Sequence, residues 1–238
     1  TPESSSAASD VYKRQEYNDP RLSRAFITKQ GTSGKEQAPG TADNAVYAPN
    51  GTPEQGTSKY GTSLFMYSIS APTLLLSYHE LKFLEAEALC RLERDAKSAL
   101  KDAVVAGLLN AENSFTISRK ELGKTLINAA SSITEAEAES YFDNTIEAKY
   151  TAEPLKTTMT QKYFALWGAS GEATESYNDV RRMKGLGENF IELKNPNSFP
   201  LRCPYGNSDT TTNAEVKAAY GNGQYVYSEN VWWAGGSR

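Results

Sequence analysis

The chain of 238 residues is 39% hydrophobic and 23% charged with a net charge of −4, the balance of an ordinary globular protein able to bury one sizeable core or two small ones. That mixture excludes collagen, coiled coil and wholesale disorder, and its acidity excludes the basic footprint of a general nucleic-acid binder. It offers no attraction to an anionic membrane surface, and the longest nearly apolar run, Ala103 to Leu109, is far short of the roughly 20 residues that a spanning helix needs.

In chain order, residues 1–15 read as a disordered polar tail or cloning remnant, and a chain opening on Thr1 rather than Met is expected to be a fragment. The missing leader then says nothing about location. From Glu16 to Pro72 the sequence is rich in Gly, Pro, Asn, Ser and Thr with scattered aromatics. Neither a helical nor a strand period holds there, so the expectation is a loop-rich segment, with one or two short strands such as Arg24 to Lys29, lying against something else.

The pattern changes after Pro72. Thr73 to Arg91 lacks Gly and Pro and predicts a helix with two apolar stripes. Leu74, Tyr78, Leu81, Ala88 and Leu92 form one; Phe83, Ala86 and Cys90 form the other. A helix apolar on two sides suits a stacked helical array. A second helix is predicted from Asp95 to Leu109, burying Ala96, Ala99, Leu100, Ala103, Val104 and Leu108 and stopping near Gly107. The short link makes the pair an antiparallel hairpin, and the spacing of Ala86, Leu89, Ala96, Leu100 and Ala103 is similar to that of a tetratricopeptide hairpin, though without its Trp and Pro marks.

After a loop near Asn110 to Phe115, Ser118 with Glu121 reads as a capping box for a helix reaching Ala130, and Thr134 with Glu137 as another for a helix reaching Lys149. Pro154 suits the first turn of a helix ending near Trp167 and Gly168. A last long helix is expected from Glu172 to Lys184 and a short one from Asn213 to Tyr220. The reading is mainly α: tetratricopeptide-like helical hairpins over residues 73–184, flanked by loop-rich segments 16–72 and 185–238 of a single domain.

Chemistry-bearing patterns are few. Two cysteines, Cys90 and Cys203, and the lone His79 exclude a four-ligand zinc site or a histidine-rich metal site, and a disulfide between the cysteines is not favoured. Glu80, Glu85 and Glu87 beside His79 are read as the solvated face of their helix, because HExxH is absent. Glu135, Glu137 and Glu139 are read as acids favoured at a helix start, and Arg181 and Arg182 as cations favoured at a helix end. The glycine pairs at 185/187 and 221/223 lack the third glycine of a dinucleotide loop. Fourteen tyrosines, many in loop-like segments, suit stacking on a sugar ring and equally suit a protein interface.

Several segments together resemble the C-terminal half of the SusD/RagB family. The segment Asn18-Asp19-Pro20-Arg21-Leu22 resembles its DPRL segment, and Glu80-Leu81-Lys82-Phe83-Leu84-Glu85-Ala86-Glu87-Ala88 its E-[LV]-K-F-[IL]-x-A-E-A helix. Gln161 to Leu166 is similar to QKWxAL, Asp179-Val180-Arg181-Arg182 to W-x-[DE]-Y-R-R, and Phe199 to Arg202 to FPxR. Tyr205, Asp209 and Asn213 follow at the spacing of its Y…E…N ending. Tyr163, Tyr177, Val180 and Asp209 depart from the usual residues at positions read as fold determinants.

The resemblance implies a lipoprotein on the cell-surface side of the outer membrane, held there only by a lipid anchor outside this chain. It implies an oligosaccharide as ligand and a SusC-like TonB-dependent transporter as partner, with no cofactor, no nucleic acid and no bond cleaved. Tyr47, Tyr60 and Trp232 are the loop-placed candidates for a stacking platform. The rival readings are a structural lid without sugar contacts, a peptide binder, and a glycoside hydrolase with two carboxyls facing across a cleft.

Overall fold

The computed structural model describes residues 14–30, 35–37, 62–122, 132–191, 200–223 and 225–236. The chain divides into two compact units, Thr1–Leu193 and Lys194–Arg238, each described by itself.

The first unit is helical, with a small antiparallel sheet of order β2-β1-β3. Its strands are β1 (Phe26–Gln30), β2 (Lys35–Gln37) and β3 (Thr62–Ser63), with Thr28 opposite Gln37 and Phe26 opposite Ser63. A 3-10 turn, Leu64–Tyr67, follows.

Helix α1 (Tyr78–Arg91) begins five residues later than predicted, because Ser77 takes the cap position and its hydroxyl accepts from Glu80 N–H. Helix α2 (Lys97–Leu122) is far longer than predicted and runs through the expected stop at Gly107, the expected loop and the Ser118 capping box. Tertiary packing overrides each signal. A Cβ at Gly107 would stand 3.0 Å from Ala165 Cβ, so this glycine permits a close helix crossing rather than ending the helix. The Ser118 hydroxyl lies close to Leu64 O (2.6 Å) and Ser114 O (2.8 Å) inside the fold, and Glu121 accepts from the backbone N–H of Ile69 and Ser70. The continuation expected to Ala130 lies outside the described residues.

Thr134 caps α3 (Glu135–Tyr141) as predicted, accepting from Glu137 N–H. A π-helical turn, Phe142–Ile146, carries the chain into α4 (Glu147–Ala152). Pro154 opens α5 (Pro154–Ala165) at its first turn, and α6 (Ala173–Gly185) completes the array. Helix α1 packs on α2 and α5, and α2 packs on α3 and α5. Tyr150 from α4 locks the start of α2, accepting from Ala96 N–H at 2.8 Å and donating to Asp95 at 3.1 Å.

The core contains Phe83, Ala86, Leu100, Ala103, Leu108, Phe115, Phe142 and Ile146, so the predicted inner face of α2 and one of the two stripes of α1 are buried. The other stripe is not. Tyr78, Leu81 and Leu92 are 59%, 52% and 63% exposed, which corrects the expectation that α1 is packed on both sides.

The reading of Glu80 and Glu87 as a solvated face is also corrected. Both are buried, as is His79, while Glu85 stays exposed. The polar tail assigned to residues 1–15 ends too late by two residues at least, because Arg14 is fully buried. Residues 1–13 lie outside the described residues. Cys90 and Cys203 are both free thiols.

The second unit contains α7 (Asn207–Thr212), which the sequence reading missed, α8 (Ala214–Tyr220) and a 3-10 turn, Trp232–Ala234. Asn213 caps α8, accepting from the N–H groups of Glu215 and Val216. Leu201 N–H donates to Val226 O and Tyr205 N–H to Gly223 O, tying the two ends of the unit together.

Candidate functional site

Four of the segments singled out in the sequence, around Asp19, Glu80, Lys162 and Asp179, converge in the helical unit as two clusters of charge. In the first, Lys162 on α5 reaches Glu80 on α1 at 3.0 Å and Asp179 on α6 at 2.8 Å. Arg182 forks onto Glu87 and also reaches Asp179 at 2.8 Å, while Arg91 joins Glu87 at 2.7 Å to Glu188 at 2.8 Å. Cation and carboxylate alternate along this chain, which is how the buried Lys162, Glu80 and Glu87 keep their charges at a helix junction.

The protonation tendencies follow. Burial would raise Glu87, but hydrogen bonds from Arg182 and Arg91 outweigh it and hold its carboxyl below the ordinary range. Burial raises Glu80, whose partner Lys162 is shared with Asp179. Lys162 is kept charged by its two carboxylates despite burial. Burial lowers His79, against the opposing pull of Glu172, whose carboxylate lies 3.8 Å from Nε2.

In the second cluster, the buried Asp19 carboxylate accepts from Arg14 at 3.0 Å and from Arg21 at 2.7 Å. Both guanidinium groups also donate to Phe164 O, and Arg14 stacks over Phe164 and Trp167 at 4.6 and 4.4 Å. Asp19 is held below the usual carboxylate range because the two arginines outweigh its burial. These clusters pin chain segments together. Their charges face one another rather than a ligand.

An open groove of about 670 Å³ runs over the first cluster, with Leu75, Leu76 and Leu84 along one wall and Glu175 and Asn178 on α6 opposite. Of its carboxylates, Glu80, Glu87 and Asp179 are each engaged by a cation, while Glu172 accepts from Ser77 N–H and Glu175 from the Asn178 amide.

Two exposed indoles lie in the second unit. Of the predicted platform residues, Tyr47 and Tyr60 lie outside the described residues. Trp232 stands 71% exposed beside Trp233, 67% exposed, with ring centroids 5.6 Å apart and planes at 89°. A 3-10 turn advances about 120° per residue, so consecutive side chains diverge and both indoles stay in solvent. Sequence reasoning overlooked Trp233, although the Trp-Trp pair itself was the available signal. Exposed Asn230 precedes the pair, Tyr227 is also exposed, and Tyr205 stacks on Tyr220 at 4.4 Å under the Arg202 guanidinium. Leaving two large indoles in water sacrifices several kcal/mol of available burial, roughly 1.5–3 kcal/mol for a large apolar side chain.

Residues 6–205 match the family model described as SusD-like, starch-binding and associating with the outer membrane. A SusD/RagB family protein of Bacteroides thetaiotaomicron, known by crystal structure, is 63% identical over 97% of this chain and superposes with a TM-score of 0.85. A SusD homolog of Bacteroides fragilis shares the fold at 18% identity over 95% of the chain, with a TM-score of 0.59. A Bacteroides vulgatus protein whose description names the outer membrane and nutrient binding does so at 20% identity over 95% of the chain, with a TM-score of 0.52. The chain spans about half the length of these structures, 50%, 51% and 50% respectively. No curated protein shows significant similarity to it. With a mainly helical fold built around the segments quoted above, the chain belongs to the SusD-like family.

Proposed function

We propose that this protein captures an oligosaccharide at the cell-surface side of the outer membrane and passes it to a SusC-like TonB-dependent transporter. The observation that carries the reading is the exposed Trp232–Trp233 pair in the second unit. A pyranose ring lays its apolar C–H face on one indole while its hydroxyls seek polar groups such as Asn230. Tyr47 and Tyr60 are proposed as further contacts.

One stacking contact worth about 1.5 kcal/mol changes Kd about tenfold, so useful affinity comes from several contacts along one chain of sugars. The reading invokes no catalysis. Ion pairing of Glu80, Glu87 and Asp179 supports that choice.

Affinity electrophoresis of the full-length protein through gels containing starch, then a panel of other glycans, tests the proposal. At least one glycan should retard the wild type, and Trp232→Ala should lose most of that retardation. Failure of every glycan to retard the wild type would instead favour the transporter-lid reading, and an unchanged variant would remove Trp232 from the site.

A further inference from the structure

A small cavity of about 160 Å³ lies in the helical unit between loop 68–74, helix α2 and the turn that follows α5. Asn110, Asn113 and Ser114 on α2 line it at positions i, i+3 and i+4, so they share one face of that helix. Thr73 and Ser170 line it from the two loops. None of these five side chains hydrogen-bonds to another described residue, although Ser114 is only 7% exposed. One turn further along α2, by contrast, the Ser118 hydroxyl is engaged by Leu64 O and Ser114 O. Phe65 gives the cavity an apolar side, its ring fixed 4.8 Å from Phe115 and 4.9 Å from Trp167.

The walls are set by the fold. Glu121 accepts from the N–H groups of Ile69 and Ser70, and Leu74 N–H donates to Ser170 O at 3.1 Å, which ties one loop to the other. The cavity is below the roughly 300 Å³ at which drug-sized sites begin, so it suits one small ring rather than an extended molecule. Among the described residues no charged side chain lines it. An anionic or cationic guest would lose hydration there without a counter-charge to replace it. Amides and hydroxyls each donate and accept, which matches a guest whose own groups do both.

We infer that this cavity is a subsite for a single neutral pyranose residue, with the Asn110 and Asn113 amides and the Ser114 hydroxyl bonding its hydroxyls and Phe65 meeting its C–H face. The choice of a sugar as guest rests on the oligosaccharide reading above; the site itself is separate from Trp232.

Ligand-detected NMR titration of the full-length protein with methyl glucoside, methyl galactoside and methyl mannoside, and with glucuronic acid as the charged counterpart, tests the inference. At least one neutral glycoside should bind saturably, glucuronic acid should bind at least tenfold more weakly, and Asn110→Leu with Asn113→Leu should raise the Kd of the neutral glycoside at least tenfold. Circular dichroism of the double variant should match the wild type. Asn113→Leu alone, at an exposed position, should still raise Kd at least threefold and serves if the double variant does not fold. A wild type that is retarded by a glycan gel yet binds no neutral glycoside, variants that bind as the wild type does, or equal binding of glucuronic acid would each overturn the subsite while leaving the Trp232 reading in place. Glycoside binding that the variants lose, in a protein that no glycan gel retards, would uphold the subsite and remove the Trp232 reading instead.

Discussion

The two units of this protein use the same amino acids for opposite ends. In the helical unit Phe83, Phe115, Phe142 and Phe164 are fully buried, and even Arg14 and Lys162 are drawn inside. In the C-terminal unit Tyr227, Trp232 and Trp233 are out in solvent, and among its described residues only Thr210 and Gly223 are buried. An aromatic ring surrounded by helices contributes to stability through burial. One held on a short turn contributes little to stability and is available for contact. The comparison teaches that function is best sought where large side chains forgo burial, and stability where charges accept it.

The division predicts a graded set of responses. Phe83→Asp should abolish cooperative folding, since losing the ring and burying a carboxylate together cost more than about 5 kcal/mol. Wild-type-like melting of that variant would show the register of α1 to be misassigned. Asp19→Asn leaves Arg14 and Arg21 buried without their shared anion and should cost about 3–5 kcal/mol by denaturant titration. Gly168→Ala should cost about 2–4 kcal/mol, because φ is +73° there and the new Cβ would fall 2.4 Å from the Phe65 ring.

A smaller effect is expected from pH. Burial lowers His79 in the folded state, so below about pH 6.5 the unfolded chain takes up a proton that the folded chain refuses, and stability falls as pH falls through that range. Urea midpoints at pH 7.5 and 5.5 should differ less for His79→Gln than for wild type. The smallest expected change in stability belongs to Trp232→Ala, within about 0.5 kcal/mol, although the same variant should lose glycan retention. A large loss of stability in that variant would erase the contrast between the units.

The local signals carried the reading of the fold some distance. Thr134 and Pro154 start their helices where predicted, Asn213 caps α8, and the inner face of α2 is buried residue for residue. The candidate site was less legible. Trp232 could be singled out and the adjacent Trp233 was readable from the same pair, but the geometry between them depends on a 3-10 turn whose sequence carries no period.

By itself the sequence determined that the middle of the chain is a set of helical hairpins, because helical periodicity and capping are encoded within a few residues of where they act. Only the tertiary structure decided which apolar stripe of α1 is buried, that Gly107 marks a crossing with Ala165 rather than an end, and that Glu80 and Glu87 lie inside. Each of those outcomes depends on a partner far away along the chain: Ala165 for Gly107, Lys162 for Glu80, Arg182 for Glu87. A glycine without its neighbour reads as a breaker, and a glutamate without its cation reads as a surface residue.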